Sequence, residues 1–412
     1  MFSTLKKFSL KHCDLPTMIW NLSVFLRVLT LNIDPRSKKG IPIINYIVTA
    51  FIIVCYFYVY LFSMSWFVFW RCSETGDVLA ALIIFSLGVS SEIGTVKLFF
   101  MFIYRDKVKR IVTDCLACDR SVELKSRFSK NMLNRLRAVK QRAITLWLVV
   151  MGNGVVYILK ALLMPGRHMM EDQFIFYGLE PMYETPNYQI AFLLSSAGVV
   201  FTCYPPANIQ AFMIIISGYI EAQMLALTEE MENLYQDAKE HYTNMPGTSF
   251  ENTERDVTER NRIINDYIKE RLKTIIQNHA RNINILNQMQ NVFSGAIVLE
   301  FMLLMTGLIA ELLGGLENTY IEVPFALMQV GMDCFTGQRI MDASAKFEAA
   351  VYSCDWEEFD ASNMKIVLIM LQNAQKTMKL SAGGMATLSF QCFMTVIRSI
   401  YSAYTTLRST MN

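Results

Sequence analysis

Long uncharged runs separated by charged segments are the main pattern of this 412-residue chain. Residues 40–70 form a run of 31 residues without a charge, and residues 185–220 form one of 36. A helix of about 20 apolar residues crosses the hydrocarbon core of a bilayer, so both runs predict membrane-spanning helices. Five further apolar segments bring the predicted number of spans to seven: residues 78–104, 143–163, 284–313, 323–341 and 381–407.

Charged residues interrupt several of these spans, namely Glu92, Lys97, Glu300, Asp333 and Arg398. A central charge costs about 2.5 to 3.5 kcal/mol on insertion scales, so these side chains are expected to face protein or water. A helical rise of about 1.5 Å per residue places Asp333 and Arg398 at similar depth in spans six and seven. We expect them to form a structural charge pair. The charges also leave open a relay in a transporter of a small solute or ion.

Charge bias between the loops predicts the orientation of the spans. Segment 105–142 carries twelve Lys and Arg residues against four Asp and Glu, whereas segment 166–187 has one Arg against four acidic residues. Cytoplasmic loops are rich in Lys and Arg, so the N-terminus is expected in the cytoplasm and the C-terminus outside. The predicted fold class is an all-α integral membrane protein with seven transmembrane helices. Its topology is the inverse of a G-protein-coupled receptor.

Composition and motifs exclude several functional classes. Hydrophobic residues make up 53% of the chain and charged residues 18%, against about 25% charge in ordinary soluble domains. The net charge of +2 gives no indication of nucleic-acid binding. The sequence contains no GxxxxGK[ST], HExxH or GxSxG motif, and the Cys115 and Cys118 pair has no second pair to complete a zinc site. We therefore expect no enzyme, no cofactor and no metal.

The cytoplasmic sides of the later spans continue as amphipathic helices, at residues 221–238, 263–286 and 347–374. Such helices need a partner surface, which lies either within one subunit or on other subunits beneath the membrane. The polar segment 239–257, which contains Pro246 and Gly247, is expected to be disordered.

The C-terminal third carries a family signature. Its elements are Gly337, Ser344, Tyr352, Trp356, the segment from Gln372 to Lys376, Ala382 with Gly383, Tyr401 and Tyr404, and an upstream apolar face around His279. This pattern resembles the insect odorant receptor family. The resemblance implies a subunit that binds a small volatile organic ligand. With the co-receptor Orco it would form a heterotetrameric, ligand-gated, non-selective cation channel in the plasma membrane of an olfactory neuron dendrite.

Two differences separate this chain from related branches, the co-receptor Orco and the gustatory receptors. Orco carries a much longer insertion in the loop at residues 239–257, so this chain resembles a ligand-tuned subunit and not the co-receptor. The gustatory branch closes its last span with a Tyr and a Gln-Phe, whereas here Tyr401 is followed by Ser-Ala-Tyr-Thr-Thr-Leu-Arg. A gustatory-receptor-like channel and a multi-pass transporter remain the alternatives.

The resemblance divides the chain into four parts. Residues 1–40 form a cytoplasmic segment, 41–342 hold spans one to six with the ligand pocket, 343–380 form a cytoplasmic anchor helix, and 381–412 hold span seven, which lines the pore. The anchor is expected to make most contacts between subunits. Gly383 and Gly384 permit a break before span seven. The expected pore and gate residues are Tyr401, Tyr404, Thr405, Leu407 and Arg408.

A volatile ligand needs a mostly apolar cavity with one or two polar groups. The family implies that spans two, three, four and six form this cavity in the outer half of the bundle. By depth, the expected ligand-binding residues are Phe85, Val89, Met151, Val155, Phe201, Tyr204, Met328 and Met332, with core packing as the alternative for each. Pro205 and Pro206 remove backbone donors and predict a kink in span four beside the pocket.

Overall fold

The structure, a computed structural model, describes residues 8–37, 40–123, 125–245, 254–315 and 322–411. Within those ranges the regular elements are helices and one small hairpin. The elements are α1 (Leu15–Leu26), α2 (Ile43–Thr75), α3 (Val78–Ile103), α4 (Arg105–Arg120), α5 (Arg127–Leu163), α6 (Asn187–Glu232), α7 (Leu234–Thr243), α8 (Glu254–Leu313), α9 (Glu322–Tyr352), α10 (Ala361–Ala374), β1 (Ser381–Ala382), β2 (Ala386–Thr387) and α11 (Phe390–Met411).

Among the described residues five helices, α2, α3, α5, α6 and α8, are long and apolar enough to cross a membrane. Helices α9 and α11 occupy the predicted sixth and seventh spans. They are less apolar because polar residues interrupt them, such as Gln329 and Asp333 in α9 and Arg398 in α11. The prediction of an all-α membrane protein is confirmed.

Helix α6 is the centre of the bundle and packs against α1, α2, α3, α5, α8 and α9. In the most apolar 18-residue stretch of α6, 83% of the residues are buried, against 28% in that of α5. Pro205 and Pro206 lie inside this continuous helix. The Pro206 ring fits against Gly94 of α3, where an added Cβ would lie 2.5 Å from the ring Cγ. Pro206 therefore lies where α3 and α6 approach closely.

Helix α2 contains two π-helical segments, Phe57–Ser63 and Phe67–Arg71. A π turn adds one residue to a helical turn and changes the direction of the side chains that follow. Tyr60 lies in the first segment, and its ring fits against Gly198 of α6, where an added Cβ would be 2.7 Å from Cε2. The segment thus directs Tyr60 into the bundle.

The predicted anchor helix at residues 343–380 is not a single helix. Helix α9 continues from the sixth span to Tyr352, and the chain then turns through Asp355, which has a φ of 54°. Asp360 caps α10 by accepting a hydrogen bond from the Asn363 amide at 2.7 Å. The cap sets a new helix start because Asp side chains satisfy the free amides of a first turn.

Span seven also begins later than predicted. The strands β1 and β2 pair as a hairpin whose turn holds Gly383 and Gly384 at φ angles of 58° and 73°. Gln290 of α8 donates to the Ser381 carbonyl at 2.7 Å and accepts from its amide at 2.9 Å. The two glycines therefore form a turn, as positive φ angles allow, and α11 starts at Phe390.

The predicted disordered segment at residues 239–257 lies partly outside the described residues, which stop at 245 and resume at 254. On its two sides α7 extends to Thr243 and α8 begins at Glu254. The polar composition of the segment therefore did not prevent helix formation at its ends.

The loop between α5 and α6 packs back onto the bundle. Phe174 is buried and its ring lies 5.7 Å from that of Phe67 in α2. Burial raises the pKa of Glu171 from its usual 4.5 to about 7. The hydrogen bond that His168 makes to Asp172, at 2.8 Å, raises the pKa of His168. Both groups therefore bind protons more tightly in the folded loop.

We expect Glu171 and His168 to contribute stability that is lost as the pH rises from about 5 to 8. A carboxyl whose folded pKa is raised to about 7 stabilises the protonated, low-pH state. The raised pKa of His168 acts in the same direction. The thermal midpoint of the detergent-solubilised chain should fall over this interval, and Glu171→Gln should flatten the slope. Glu184→Gln, an exposed control in the same loop, should keep it. An unchanged slope in Glu171→Gln would contradict this assignment.

Candidate functional site

A buried ion pair joins four helices of the bundle. The Lys97 Nζ of α3 lies 2.7 Å from Asp333 Oδ2 of α9 and 2.8 Å from Glu300 Oε2 of α8. Gln210 of α6 completes the group, since its Oε1 accepts from Lys97 at 2.8 Å and its Nε2 donates to Asp333 Oδ1 at 2.6 Å. We call these four residues the Lys97 cluster.

The predicted charge pair between Asp333 and Arg398 is wrong. Asp333 binds Lys97 and Gln210, whereas Arg398 is exposed on α11. Counting residues gives the depth of a side chain but not the direction in which its helix face points. Lys97 is the cation that faces α9 from inside the bundle.

Glu92 lies five residues before Lys97 on α3 and faces α2. Its Oε1 accepts a hydrogen bond from Tyr56 at 2.6 Å, and its Oε2 accepts one from Thr95 at 2.7 Å. The Tyr56 ring packs 5.4 Å from that of Tyr60 and 5.0 Å from that of Phe201. The rings of Tyr56, Tyr60 and Phe201, the aromatic group, thus lie between this carboxylate and the core of the bundle.

Two cavities adjoin this aromatic group. The central cavity, of about 50 Å³, lies between α2, α3, α5, α6 and α9, and its walls are Tyr60, Leu87, Ser90, Ser91, Asn153, Gly154, Tyr157, Val199, Thr202, Cys203 and Phe325. The lateral cavity, of about 140 Å³, lies between α2, α3 and α8, and its walls are Tyr60, Leu61, Met64, Ser65, Val68, Phe69, Ile84, Phe85, Gly88, Val89, Glu92 and Leu303. Tyr60 is a wall of both.

The structure distributes the eight predicted ligand-binding residues unevenly. Phe85 and Val89 line the lateral cavity. The other six lie outside the walls of both cavities: Met151, Val155, Phe201, Tyr204, Met328 and Met332. Val155 is 52% exposed on α5, which is incompatible with a place between helices. The Tyr204 hydroxyl donates to the Phe25 carbonyl at 3.0 Å. The remaining four are buried or half-buried core residues.

Close neighbours of these six residues line the central cavity instead. Gly154 stands beside Val155, Thr202 and Cys203 lie between Phe201 and Tyr204, and Phe325 precedes Met328 by three positions. Each step along an α-helix rotates the side chain by about 100°, so an error of one residue selects another face. Residues of spans two, three, four and six line this cavity, together with Tyr60 of span one.

Sequence reasoning missed Tyr60, Asn153 and Tyr157. Their polar groups stand in apolar spans, where they are costly unless they find a partner or face a cavity. Gly198 was the available signal for Tyr60, because small residues in spans mark places where another helix or ring approaches closely.

A third cavity, of about 210 Å³, lies beneath α1 and between α5 and α6. Two of its polar walls, Asn208 and Lys140, have hydrogen-bond partners. Asn208 accepts from Trp147 Nε1 at 3.1 Å and donates to the Tyr204 carbonyl at 2.7 Å. Lys140 donates to the carbonyls of Ser9 and His12. This arrangement fixes α1 to the bundle and offers an apolar interior.

Helix α11 packs on α8 and α9 with one face only. Phe393 contacts Gly331 of α9, and Ile400 is buried, whereas Tyr401 is 64% exposed. Of the expected gate residues, Thr405, Leu407 and Arg408 are also exposed and Tyr404 is half-buried. The Arg408 guanidinium donates to the Tyr404 hydroxyl. A single chain leaves this face of α11 without a covering helix among the described residues.

We expect Lys97→Met to destabilise the bundle by about 3–5 kcal/mol, because it leaves two buried carboxylates without their cation. The thermal midpoint and the surface expression of the tagged chain measure the loss. Adding Glu300→Gln and Asp333→Asn should restore part of it. Lys365→Met, at an exposed lysine of α10, is the control. Equal midpoints for the two lysine variants would show that the cluster contributes no stability.

The profile described as 7tm Odorant receptor matches residues 77–310 and 319–401. Odorant receptor 22b of Drosophila melanogaster is 23% identical over 159 residues, which are 37% of this chain and 40% of that protein. Odorant receptor 22c of the same species is 24% identical over 224 residues, 52% of each chain. The odorant receptor coreceptor of Aedes aegypti is 22% identical over 152 residues, 34% of this chain and 31% of that protein. These alignments thus span about a third to a half of the relatives.

The fold is similar to that of solved insect structures. The olfactory receptor OR5 from Machilis hrabei aligns with a TM-score of 0.74 at 11% identity, over 94% of this chain and 97% of that one. Its structure in complex with eugenol aligns with a TM-score of 0.72 at 11% identity, over 96% and 98%. Since the family profile covers well over half of the sequence and the fold agrees over nearly all of it, the chain belongs to the insect odorant receptor family.

Proposed function

We propose that this chain is a ligand-tuned odorant receptor subunit that forms, with the co-receptor Orco, a ligand-gated, non-selective cation channel. The central cavity is the observation that carries the proposal. It combines apolar walls with hydroxyl and amide groups from Ser90, Ser91, Asn153, Tyr157 and Thr202. These groups suit a small volatile molecule that carries a polar group, and the walls must move apart to admit one because the cavity has a volume of only about 50 Å³. The similar OR5 structure is in complex with eugenol.

The path from this cavity to the pore runs along α9. Phe325 of α9 is a cavity wall, Gly331 contacts Phe393 of α11, and Asp333 holds the helix to the Lys97 cluster. A ligand that fits one position of α9 better than another shifts the population of both α9 and α11. Gating then requires a difference in ligand affinity between the closed and open states.

Assembly with other subunits is supported by exposed apolar surface near the C-terminal helices. Tyr352 at the end of α9 is 69% exposed, and Leu368 and Ile369 of α10 are 56% and 59% exposed. Contiguous exposed apolar residues mark interaction surfaces in folded proteins. We place this surface in the cytoplasm, since the basic segment 105–142 supports a cytoplasmic N-terminus. The proposed location is the plasma membrane of an olfactory neuron dendrite.

The transporter alternative required a relay of membrane charges. Lys97, Glu300 and Asp333 instead pair with one another in one buried group. This pairing supports a structural role. Uptake of a radiolabelled solute by cells that express the chain alone would restore the alternative.

The proposal predicts odorant-evoked cation current only when the chain and Orco are expressed together. Two-electrode recording from oocytes with a panel of volatile esters, alcohols, aldehydes and terpenoids makes the test. A chain that ends before Ser381 should still insert α2 to α9 but give no evoked current, because α11 is missing. Evoked current from the truncated chain with Orco, equal to that of the full chain, would exclude α11 from the pore.

Thr202→Val should weaken the response to odorants that carry a hydroxyl group. Losing one hydrogen bond of about 0.5–1.5 kcal/mol shifts the half-maximal concentration about 2- to 10-fold. Ion selectivity should not change. Thr306→Val on α8 is a matched control, because Thr306 is exposed and, like Thr202, donates to a carbonyl of its own helix. Equal shifts in both variants would remove Thr202 from the binding site.

A further inference from the structure

The lateral cavity contains a carboxylate that has hydrogen-bond donors but no cation. Glu92 accepts from the hydroxyls of Tyr56 and Thr95, at 2.6 Å and 2.7 Å. Within the described ranges, no Lys, Arg or His nitrogen lies within 4.0 Å of its carboxylate oxygens. Lys97, the cation nearest along α3, is bound to Glu300 and Asp333. We propose that the lateral cavity binds a small protonated amine, whose ammonium group pairs with Glu92.

Charge is the first argument for this ligand class. A partly buried carboxylate between membrane helices is costly unless an opposite charge compensates it. The Lys97 cluster shows how this bundle compensates two other carboxylates, with one ammonium and one amide. At Glu92 the two hydroxyls donate to the carboxylate but carry no charge. An ammonium ligand would supply the missing charge and further hydrogen-bond donors.

The walls around Glu92 define the remainder of the ligand. Met64, Val68, Phe85, Val89 and Leu303 are apolar, and the volume of about 140 Å³ limits the ligand to a short chain or a single ring. Tyr60 adds an aromatic ring to the wall, and such rings attract an ammonium group. The Glu92 carboxylate, the apolar walls and the small volume together favour a primary amine on a compact hydrocarbon.

The position of the cavity also provides an entry path. Leu61 and Phe69 at its edge are exposed, Phe69 by 71%, on the outer surface of α2. A hydrophobic amine partitions into the bilayer and reaches this edge from the lipid side. The central cavity lies on the other side of Tyr60, so Tyr60 is the one wall residue that the two ligands would share.

Binding is measured first without channel function, so the result does not depend on the proposed function. Cyclohexylamine and cyclohexanol, which have the same ring, are added to the purified full chain in detergent at pH 7. Cyclohexylamine should raise the thermal midpoint more than cyclohexanol does. In Glu92→Gln, about ten times more amine should be needed for the same rise. Glu229→Gln, at a half-buried glutamate of α6 outside the cavity, should behave as the unmodified chain.

Two results would overturn the inference: equal rises with the amine and the alcohol, or an amine effect that Glu92→Gln retains. Val89→Phe fills the cavity while keeping the carboxylate, and it should also abolish the amine effect if Glu92→Gln folds poorly. In oocytes with Orco, the same amine should change the current in a Glu92-dependent manner. Silence of the channel towards every odorant would count against the proposed function, whereas the midpoint measurement still decides the amine site.

Discussion

The cost of an unpaired charge inside a membrane is the constraint on which the arrangement of this bundle depends. Lys97, Glu300 and Asp333 are acceptable there only because they meet one another, with Gln210 accepting from Lys97 and donating to Asp333. These contacts require α3, α6, α8 and α9 to adopt one relative rotation and depth. Apolar packing alone, which is similar on many helix faces, specifies such a register less strictly.

The Lys97 cluster positions two other parts of the bundle. Towards α11, the cluster holds α9 by Asp333, so the last helix packs on a positioned support. Along α3, it sets the direction of Glu92, five residues earlier, and therefore the polar wall of the lateral cavity. The two cavities and α11 are thus arranged around the same polar junction, although none of its four residues is a wall of either the central or the lateral cavity.

The spans could be predicted because the length of an apolar segment is read directly from the sequence. Sequence reasoning identified the helices around the central cavity but chose faces such as those of Val155 and Tyr204, since spans that are apolar all round carry no polar face to set their rotation. The pairing of Asp333 with Lys97 joins residues 236 positions apart, which no local pattern reveals. The hairpin before α11 was missed because two adjacent glycines suit a helix break and a tight turn equally well.

The π segments of α2 offer a way to change which side chains line the two cavities without substituting any residue. Each π turn carries one surplus residue, so Tyr60 stands between the two cavities by virtue of chain register and not of residue type alone. Deleting a single residue within Phe57–Ser63 would convert the segment to α-helix and rotate a different side chain into that position. One-codon insertions and deletions in the first span are therefore a source of new cavity walls that is separate from substitution.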